Sequence, residues 1–196
     1  CELVEELNIS RTQLDYSSDL IRREGLEGRV RFYLCNTQDV DLLPDPEIPF
    51  DLVNMRGVIE HLTYENFERT IGNLAKRMDS DGKLVISAVL YRLPIETLRT
   101  SQLTNLDLLA CNHKKNQEYV TEVLEGAGFE VEIFEEMPKA EDVITRFQRI
   151  RSNIILEFPV DTPQEFEEFR GIAESLTPKL EVGVVKVYNI VARLKH

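Results

Sequence analysis

The sequence contains few cysteines and no long apolar run. These two features argue against a disulfide-rich secreted protein and against a membrane-spanning protein. The three cysteines, Cys1, Cys35 and Cys111, are odd in number and lack the paired spacing of a metal site. We therefore expect free thiols, a reducing compartment and a cytoplasmic protein. No apolar stretch approaches the roughly 20 residues of a membrane-spanning helix. No basic and then apolar leader precedes the first predicted element either, so we expect no membrane insertion.

Positive charge is also in short supply. The chain has 35 acidic residues against 23 lysines and arginines, which gives a formal net charge of −12. Such a protein repels polyanions at long range, so nucleic acids and anionic membranes are poor candidates for its main partner. A small-molecule substrate fits the charge better. The acidic residues are spread through helical segments such as 164–174, as on an ordinary solvated face.

Several catalytic motifs are missing. The chain lacks a Ser-His-Asp order, a metal-ligand set and the phosphate-cradling Gly-x-x-x-x-Gly-Lys, so hydrolase, metal-centred and nucleoside triphosphatase functions have no support. It also lacks internal repeats and Gly/Ser linkers. At 196 residues, one domain over residues 1–196 is the economical interpretation.

Strand and helix periodicities alternate along the chain. Strands are predicted at 3–9, 29–35, 52–55, 84–90, 129–134 and 182–194, and helices at 11–24, 66–78 and 116–125. This rhythm implies parallel pairing with right-handed crossovers, and hence a doubly wound, mostly parallel α/β sheet. Residues 135–180 are predicted to form an insertion with helices at 140–156 and 163–176. We interpret this insertion as a cap over the substrate side.

Polar residues follow three of these strands, at 8–10 (NIS), 36–38 (NTQ) and 55–57 (MRG). Ligands of such sheets bind beyond the carboxyl ends of the strands. Asn8 and Ser10 are suited to ribose hydroxyls, and Asn36 or Gln38 to an adenine amino group. Taken singly, Ser10 also fits a helix cap and Asn36 a turn former. Taken together, the three stretches predict a nucleoside cofactor site.

Five stretches, in this order, resemble class I S-adenosylmethionine-dependent methyltransferases. Residues 7–14 (LNISRTQL) and 24–30 (EGLEGRV) resemble the branch of cyclopropane fatty acid synthases and small-molecule C-methyltransferases. Residues 50–61 (FDLVNMRGVIEH) resemble the segment that follows the fourth strand in the same branch. Residues 126–131 (GAGFEV) and 186–193 (KVYNIVAR) resemble the turn before the sixth strand and the closing strand. The resemblance spans nearly the whole chain and implies a Rossmann-like methyltransferase fold.

The resemblance also implies a cofactor, S-adenosyl-L-methionine, with S-adenosyl-L-homocysteine as its product. The implied contacts to the ribose come from Asn8, Ser10 and Gln13. The implied contacts to the adenine come from Asn36 and Thr37, and those to the methionine moiety come from Arg56 with Gly57. Many relatives have an acidic residue in place of Asn36, an aromatic residue in place of Thr37 and a small or apolar residue in place of Arg56.

Glu60 and His61 are the candidate catalytic residues, because they follow the fourth strand of the fold, where methyl donor and acceptor meet. A carboxylate there can take a proton from a substrate carbon or stabilise a cation. The structural alternatives are a carboxylate that serves a helix dipole for Glu60 and a backbone-bonded histidine for His61. A second polar group, His113 with Lys114 and Lys115, predicts an exposed turn.

The glycine-rich loop that follows the first strand of the resembled fold is missing from this sequence. That loop lets the amino acid portion of the cofactor approach the backbone. We expect it, with its strand, upstream of Cys1 in the native polypeptide.

The functional prediction is methyl transfer to a small apolar or amphiphilic metabolite, with carbon favoured over oxygen or nitrogen as acceptor. The alternative is a non-methylating protein that keeps the fold as a binding or assembly module or as a cyclase. A homodimer remains open.

Overall fold

The computed structural model describes residues 2–101, 113–137 and 140–195. Within these ranges the strands are β1 (Val4–Asn8), β2 (Val30–Leu34), β3 (Phe50–Arg56), β4 (Met78–Tyr91), β5 (Phe129–Glu136) and β6 (Val185–Leu194). The α-helices are α1 (Arg11–Arg23), α2 (Tyr64–Arg77), α3 (Ile95–Thr100), α4 (Gln117–Gly126), α5 (Ala140–Glu157) and α6 (Gln164–Glu181). Two 3-10 helices, Thr37–Leu42 and Ile59–His61, follow β2 and β3. Cys35 has a free thiol, and Cys1 and Cys111 lie outside the described residues.

The strands form two sheets, and the larger one is mixed. β1 and β2 pair in parallel, and the larger sheet has the order β3-β4-β6-β5. In it β3 is parallel to β4, whereas β6 is antiparallel to both β4 and β5. The expectation of a mostly parallel sheet is therefore corrected to two parallel and two antiparallel ladders. The segment between β5 and β6 explains the antiparallel pairing. Its helices α5 and α6 return the chain to the edge of the sheet at which β5 ended, so β6 starts there and runs in the opposite direction.

One face of the larger sheet is covered by α2 and α4. Alternate residues of β4, such as Leu84 and Ile86, are fully buried on this face against Phe67 of α2 and Leu124 of α4. Burying a side chain of this size contributes about 1.5–3 kcal/mol. Because α2 follows β3 after a short turn and packs on the sheet, the position of that turn is fixed at the carboxyl end of β3.

The helix ends follow their caps. The Ser10 hydroxyl accepts a hydrogen bond from the Gln13 amide at 3.3 Å, which confirms the predicted cap of α1. The second helix begins two residues before its predicted start, because the Thr63 hydroxyl accepts from the Asn66 amide at 3.0 Å and caps the helix there.

Residues 79–82 bulge out of β4 at Asp81-Gly82. Along β3 the pairing passes from Phe50 opposite Met78 to Leu52 opposite Lys83. A Cβ atom on Gly82 would lie 2.7 Å from the carbonyl oxygen of Phe50. Only glycine fits between the strands at this position.

We expect Gly82→Ala to lower the free energy of unfolding by about 2 kcal/mol, because backbone must shift to admit the methyl group. The measurement is the urea unfolding midpoint. Gly72→Ala is the matched control: a Cβ there has no neighbour within 4 Å among the described residues, and alanine is favoured inside α2. Its midpoint should rise, and equal changes in the two variants would contradict the explanation.

The hairpin of α5 and α6 packs at the carboxyl ends of β4 and β5. Leu176 and Leu180 of α6 share an apolar cluster with Tyr91 at the end of β4 and Val185 at the start of β6. The helices thus lie where the sequence predicted an insertion, while its role as a cap over a substrate remains a prediction. None of the helices in the described ranges has both the length and the apolar composition that a membrane span requires.

Candidate functional site

Three loops emerge where parallel strands end, and they carry the predicted site residues. Asn8 is the last residue of β1, Asn36 follows β2, and Arg56 is the last residue of β3. The amide of Cys35 donates to the carbonyl oxygen of Asn8 at 3.1 Å, so the ends of β1 and β2 lie side by side.

The first loop is an internally bonded polar cluster of Asn8, Ser10 and Gln13. The Asn8 side chain accepts from the Ser10 amide at 2.9 Å and donates to the Gln13 side-chain oxygen at 2.9 Å. The Ser10 hydroxyl also accepts from the Gln13 amide, and this bond bears out the cap considered for Ser10. These three bonds use only part of the capacity of the three side chains, since an amide group has two N–H bonds and a hydroxyl both donates and accepts.

The second loop carries Asn36 and Thr37 and packs on α2. The Asn36 side chain is exposed, and the Thr37 hydroxyl lies 3.2 Å from that of Thr70 in α2. Further along, Asn73 donates to the carbonyl oxygen of Gln38 at 2.8 Å.

Arg77 holds the far end of this loop. Its buried guanidinium donates to the carbonyl oxygens of Val40, Leu43 and Asp45 at 3.1, 3.4 and 3.3 Å and lies 4.7 Å from the centre of the Phe50 ring. No sequence pattern indicates this role, because an arginine in the last turn of a helix ordinarily faces solvent and the helix dipole.

The third loop turns at Gly57, which has φ +62°. Its amide donates to the carbonyl oxygen of Ser87 at 3.0 Å and ends the backbone ladder between β3 and β4. A Cβ there would meet nothing within 4 Å among the described residues, so the backbone of Gly57 borders open space. Arg56, beside it, is exposed.

Glu60 is buried at the end of that ladder, with 5 % of its surface exposed. Its Oε1 atom accepts from the Val89 amide at 2.6 Å, so the carboxylate takes the place of the next strand carbonyl. Among the described residues Oε2 has no hydrogen-bond partner. Burial raises the pKa of Glu60, against the lowering effects of the Val89 hydrogen bond and of Lys115. The carboxylate therefore lies at a strand end inside the turn after β3, and not at a helix dipole as the alternative supposed.

Two histidines contact the turn that carries Glu60. His61 is exposed and follows Glu60 in the 3-10 turn. His113 is half-buried, and its amide donates to the carbonyl oxygen of Glu60 at 3.1 Å. Burial is the main cause that lowers the pKa of His113, and Lys115 and His61 lower it further. The turn thus carries a buried carboxylate and an exposed histidine, and a backbone hydrogen bond links it to the segment that carries His113.

The prediction that residues 113–115 form an exposed turn is wrong for Lys115, which is 1 % exposed. Its ammonium group donates to the carbonyl oxygens of Ile59, Leu62 and His113 at 2.8, 2.6 and 3.0 Å. Two consecutive lysines are typical of an exposed segment, so the sequence does not indicate that Lys115 is buried.

The predicted residues fall into groups linked by local hydrogen bonds. Asn8, Ser10 and Gln13 form one group, and Cys35 connects it to Asn36. Gly57 and Glu60 are joined to neighbouring residues of β4, Ser87 and Val89. A nucleoside site on the first two loops and a reaction site at Glu60 are both compatible with this arrangement.

No protein-family model and no curated protein matches this sequence. Solved structures match it over nearly its whole length. They include the cyclopropane synthase MmaA2 from Mycobacterium tuberculosis, with a TM-score of 0.78, 13% identity and coverage of 97% of this chain and 70% of that one. They also include the [4+2]-cyclase SpnF, with a TM-score of 0.73, 17% identity and coverage of 98% and 66%.

A third match is geranyl diphosphate C-methyltransferase from Streptomyces coelicolor A3(2), solved with Mg²⁺, geranyl diphosphate and S-adenosyl-L-homocysteine. Its TM-score is 0.68 at 12% identity, with coverage of 98% of this chain and 62% of that one. The chain thus spans about two thirds of the solved chains and has their α/β methyltransferase-like fold. This likeness covers the stretches whose motifs resemble methyltransferases.

Proposed function

We propose that this protein transfers the methyl group of S-adenosyl-L-methionine to a small apolar or amphiphilic metabolite, most readily at carbon. The observation that carries the proposal is Glu60, whose buried Oε2 lacks a partner among the described residues while Oε1 is fixed by Val89. A buried, unpaired carboxylate oxygen is costly, so a residue of this kind signals a functional role more than a structural one.

The polar residues at the strand ends fit the cofactor that this fold implies. Asn8, Ser10 and Gln13 offer hydroxyl and amide groups suited to a ribose, and the exposed Asn36 offers an amide suited to adenine. Thr37 would border the adenine beside Asn36. The open space beside the Gly57 backbone admits the amino acid portion, with the exposed Arg56 next to it. These seven residues would hold the cofactor.

We also propose that chain preceding Cys1 in the native protein supplies one more parallel strand and the glycine-rich loop. Among the described residues β1 pairs only with β2, and β3 only with β4, so each has an edge without a ladder partner. Leu7 of β1 and Met55 of β3 belong to one apolar cluster. An Asp/Glu-x-Gly-x-Gly pattern after an apolar strand in the upstream sequence would support this proposal.

When bound, the cofactor supplies a methyl group on a positively charged sulfur. The protein contributes mainly position, because holding two reactants in line accounts for much of the acceleration of such a transfer. Glu60 accepts at Oε2 the proton that a carbon acceptor loses, or stabilises positive charge on that carbon. The raised pKa of Glu60 brings it nearer to the range in which a carboxylate works as a base. His61 lies at the solvent side of the same turn, where it can pass the proton onward.

The apolar character of the hairpin of α5 and α6 is an argument for an apolar substrate. It packs at the carboxyl ends of β4 and β5 through Leu176, Leu180 and the half-buried Phe147. Carbon is the favoured acceptor because a carboxylate base serves a carbon that must lose a proton.

The alternative is a protein of this fold that does not methylate, for example a cyclase. The match to SpnF, described as a [4+2]-cyclase, favours this candidate, because it has the same fold. The two candidates differ in whether the methyl group of the cofactor is consumed.

Calorimetric titration of S-adenosyl-L-homocysteine into the native full-length protein tests the cofactor site. We expect micromolar binding, weakened about tenfold by Asn8→Ala, since losing hydrogen bonds to a ligand costs about 1.4 kcal/mol. Asn153→Ala on the exposed surface of α5 is the matched control and should leave the affinity unchanged. Absence of binding by a folded protein would refute the proposal and leave the alternative.

A further inference from the structure

Lys115 is a buried cation whose ammonium group is enclosed by the turn after β3. The group donates to the carbonyl oxygens of Ile59 and Leu62, at 2.8 and 2.6 Å, and these two residues flank Glu60 and His61 on either side. A third bond, at 3.0 Å, goes to the carbonyl oxygen of His113. An ammonium group has three N–H donors, and all three have acceptors here.

The same residue joins the turn to the segment that follows β4. The amide of Tyr91, the last residue of β4, donates to the carbonyl oxygen of Lys115 at 2.9 Å. The amide of His113 in turn donates to the carbonyl oxygen of Glu60 at 3.1 Å. Lys115 therefore connects two loops that leave neighbouring parallel strands.

The surroundings of the ammonium group favour a cation. Its nitrogen lies 5.4 Å from the centre of the Tyr64 ring and 5.5 Å from that of Phe67, both within the range of a cation–π contact. Burying an ammonium group is costly unless charge-assisted hydrogen bonds offset the lost hydration. Three carbonyl oxygens and two aromatic rings supply that compensation.

We propose that Lys115 is a positioning residue, whose ammonium group holds the turn after β3 in the conformation that presents Glu60 and His61. The proposal rests on the proposed function, since it concerns the residues assigned to the reaction. A 3-10 turn of three residues has few bonds of its own: the His61 amide donates to Val58, and the Leu62 amide to Ile59 at 3.3 Å. Without Lys115, the carbonyl oxygens of Ile59 and Leu62 lose this donor, and the turn is free to open.

The alternative is that Lys115 contributes only to the free energy of unfolding of the whole protein, as any buried residue does. The two roles differ in which backbone amides become exposed when the lysine is replaced. A positioning role predicts local opening of the turn and of the residues bonded to it. A purely global role predicts that all protected amides exchange faster by one common factor, through complete unfolding.

Native-state amide hydrogen exchange of Lys115→Met separates the two roles. The affected amides are those of Leu62, His113 and Val89, the last of which donates to Glu60. We expect their exchange to accelerate at least tenfold more than that of Leu84 and Ile190, which lie in the core of the sheet. Lys76→Met is the matched control: Lys76 is exposed on α2 and makes a hydrogen bond at 2.8 Å to Asn73, so this variant should leave all five amides unchanged.

Equal acceleration at the turn and in the core, or no acceleration at the turn, would overturn the proposal. If Lys115→Met does not fold, Lys115→Arg is measured in the same way, because it keeps the positive charge but replaces a tetrahedral set of donors with a planar one. The titration of the wild-type protein with S-adenosyl-L-homocysteine decides the proposed function independently of this result.

Discussion

Glu60→Gln is expected to make the protein more stable at about pH 8 and to leave its stability unchanged at about pH 4, below the ordinary pKa of a glutamate. Burial raises the pKa of Glu60 in the folded state. The folded state therefore binds the proton more tightly than the unfolded chain, and the resulting stability is present at low pH. That stability is lost as the pH rises through the folded pKa, whereas glutamine stays neutral throughout.

We expect a gain of about 1 kcal/mol at the higher pH, since an unpaired buried polar group costs about 1–3 kcal/mol and more when it is charged. Urea unfolding at the two pH values measures it. Glu122→Gln, on the exposed side of α4, is the control for replacing a glutamate by glutamine outside the site and should change the unfolding midpoint little. A loss of stability in Glu60→Gln at the higher pH would contradict a functional carboxylate, because it would mean that the fold needs the charge.

The same substitution should reduce methyl transfer by about 10²–10⁴, the usual contribution of a general base. Glutamine keeps an oxygen to accept from Val89 but cannot take a proton. A variant that is more stable and much less active is the pattern expected of a residue kept for chemistry at the expense of stability.

Arg77→Met is expected to destabilise the protein by about 3 kcal/mol, because one substitution removes the donors of several buried carbonyl oxygens. Those carbonyl oxygens belong to Val40, Leu43 and Asp45, in the loop that also carries Thr37. For a chain of this size the melting temperature should fall by about 6–12 °C, which calorimetry or circular dichroism measures.

Arg69→Met on the same helix is the matched control. Its side chain is 55 % exposed and its guanidinium pairs with Asp39 at 3.2 Å, and such surface pairs contribute about 0–1 kcal/mol. Similar losses in the two variants would show that the carbonyl contacts of Arg77 do not hold the loop.

Most of the fold could be predicted from the sequence, because the order and periodicity of its elements are local signals. The cap at Ser10, the parallel pairing of β1 with β2 and the helices of the insertion were all predicted. The direction of β6 was not, since periodicity gives a strand but not its partner. The direction of β6 depends on whether α5 and α6 return the chain to the edge of the sheet at which β5 ended.

The candidate site was predicted less completely. Residues directly at strand ends, such as Asn8 and Gly57, were predicted because topology alone brings them to an edge. Arg77 and Lys115 escaped prediction, because each lies in a charged context that reads as surface and its burial depends on carbonyl oxygens distant in sequence. Long-range contacts between a cation and backbone leave no local pattern.

We propose that the carboxyl ends of β1, β2 and β3 bind S-adenosyl-L-methionine. A crystal structure of the native full-length protein with S-adenosyl-L-homocysteine would locate the ligand. We predict the ribose within hydrogen-bond distance of Asn8, the adenine beside Asn36 and the amino acid portion against the backbone of Gly57. A ligand bound elsewhere, or an empty edge at saturating ligand, would contradict the claim.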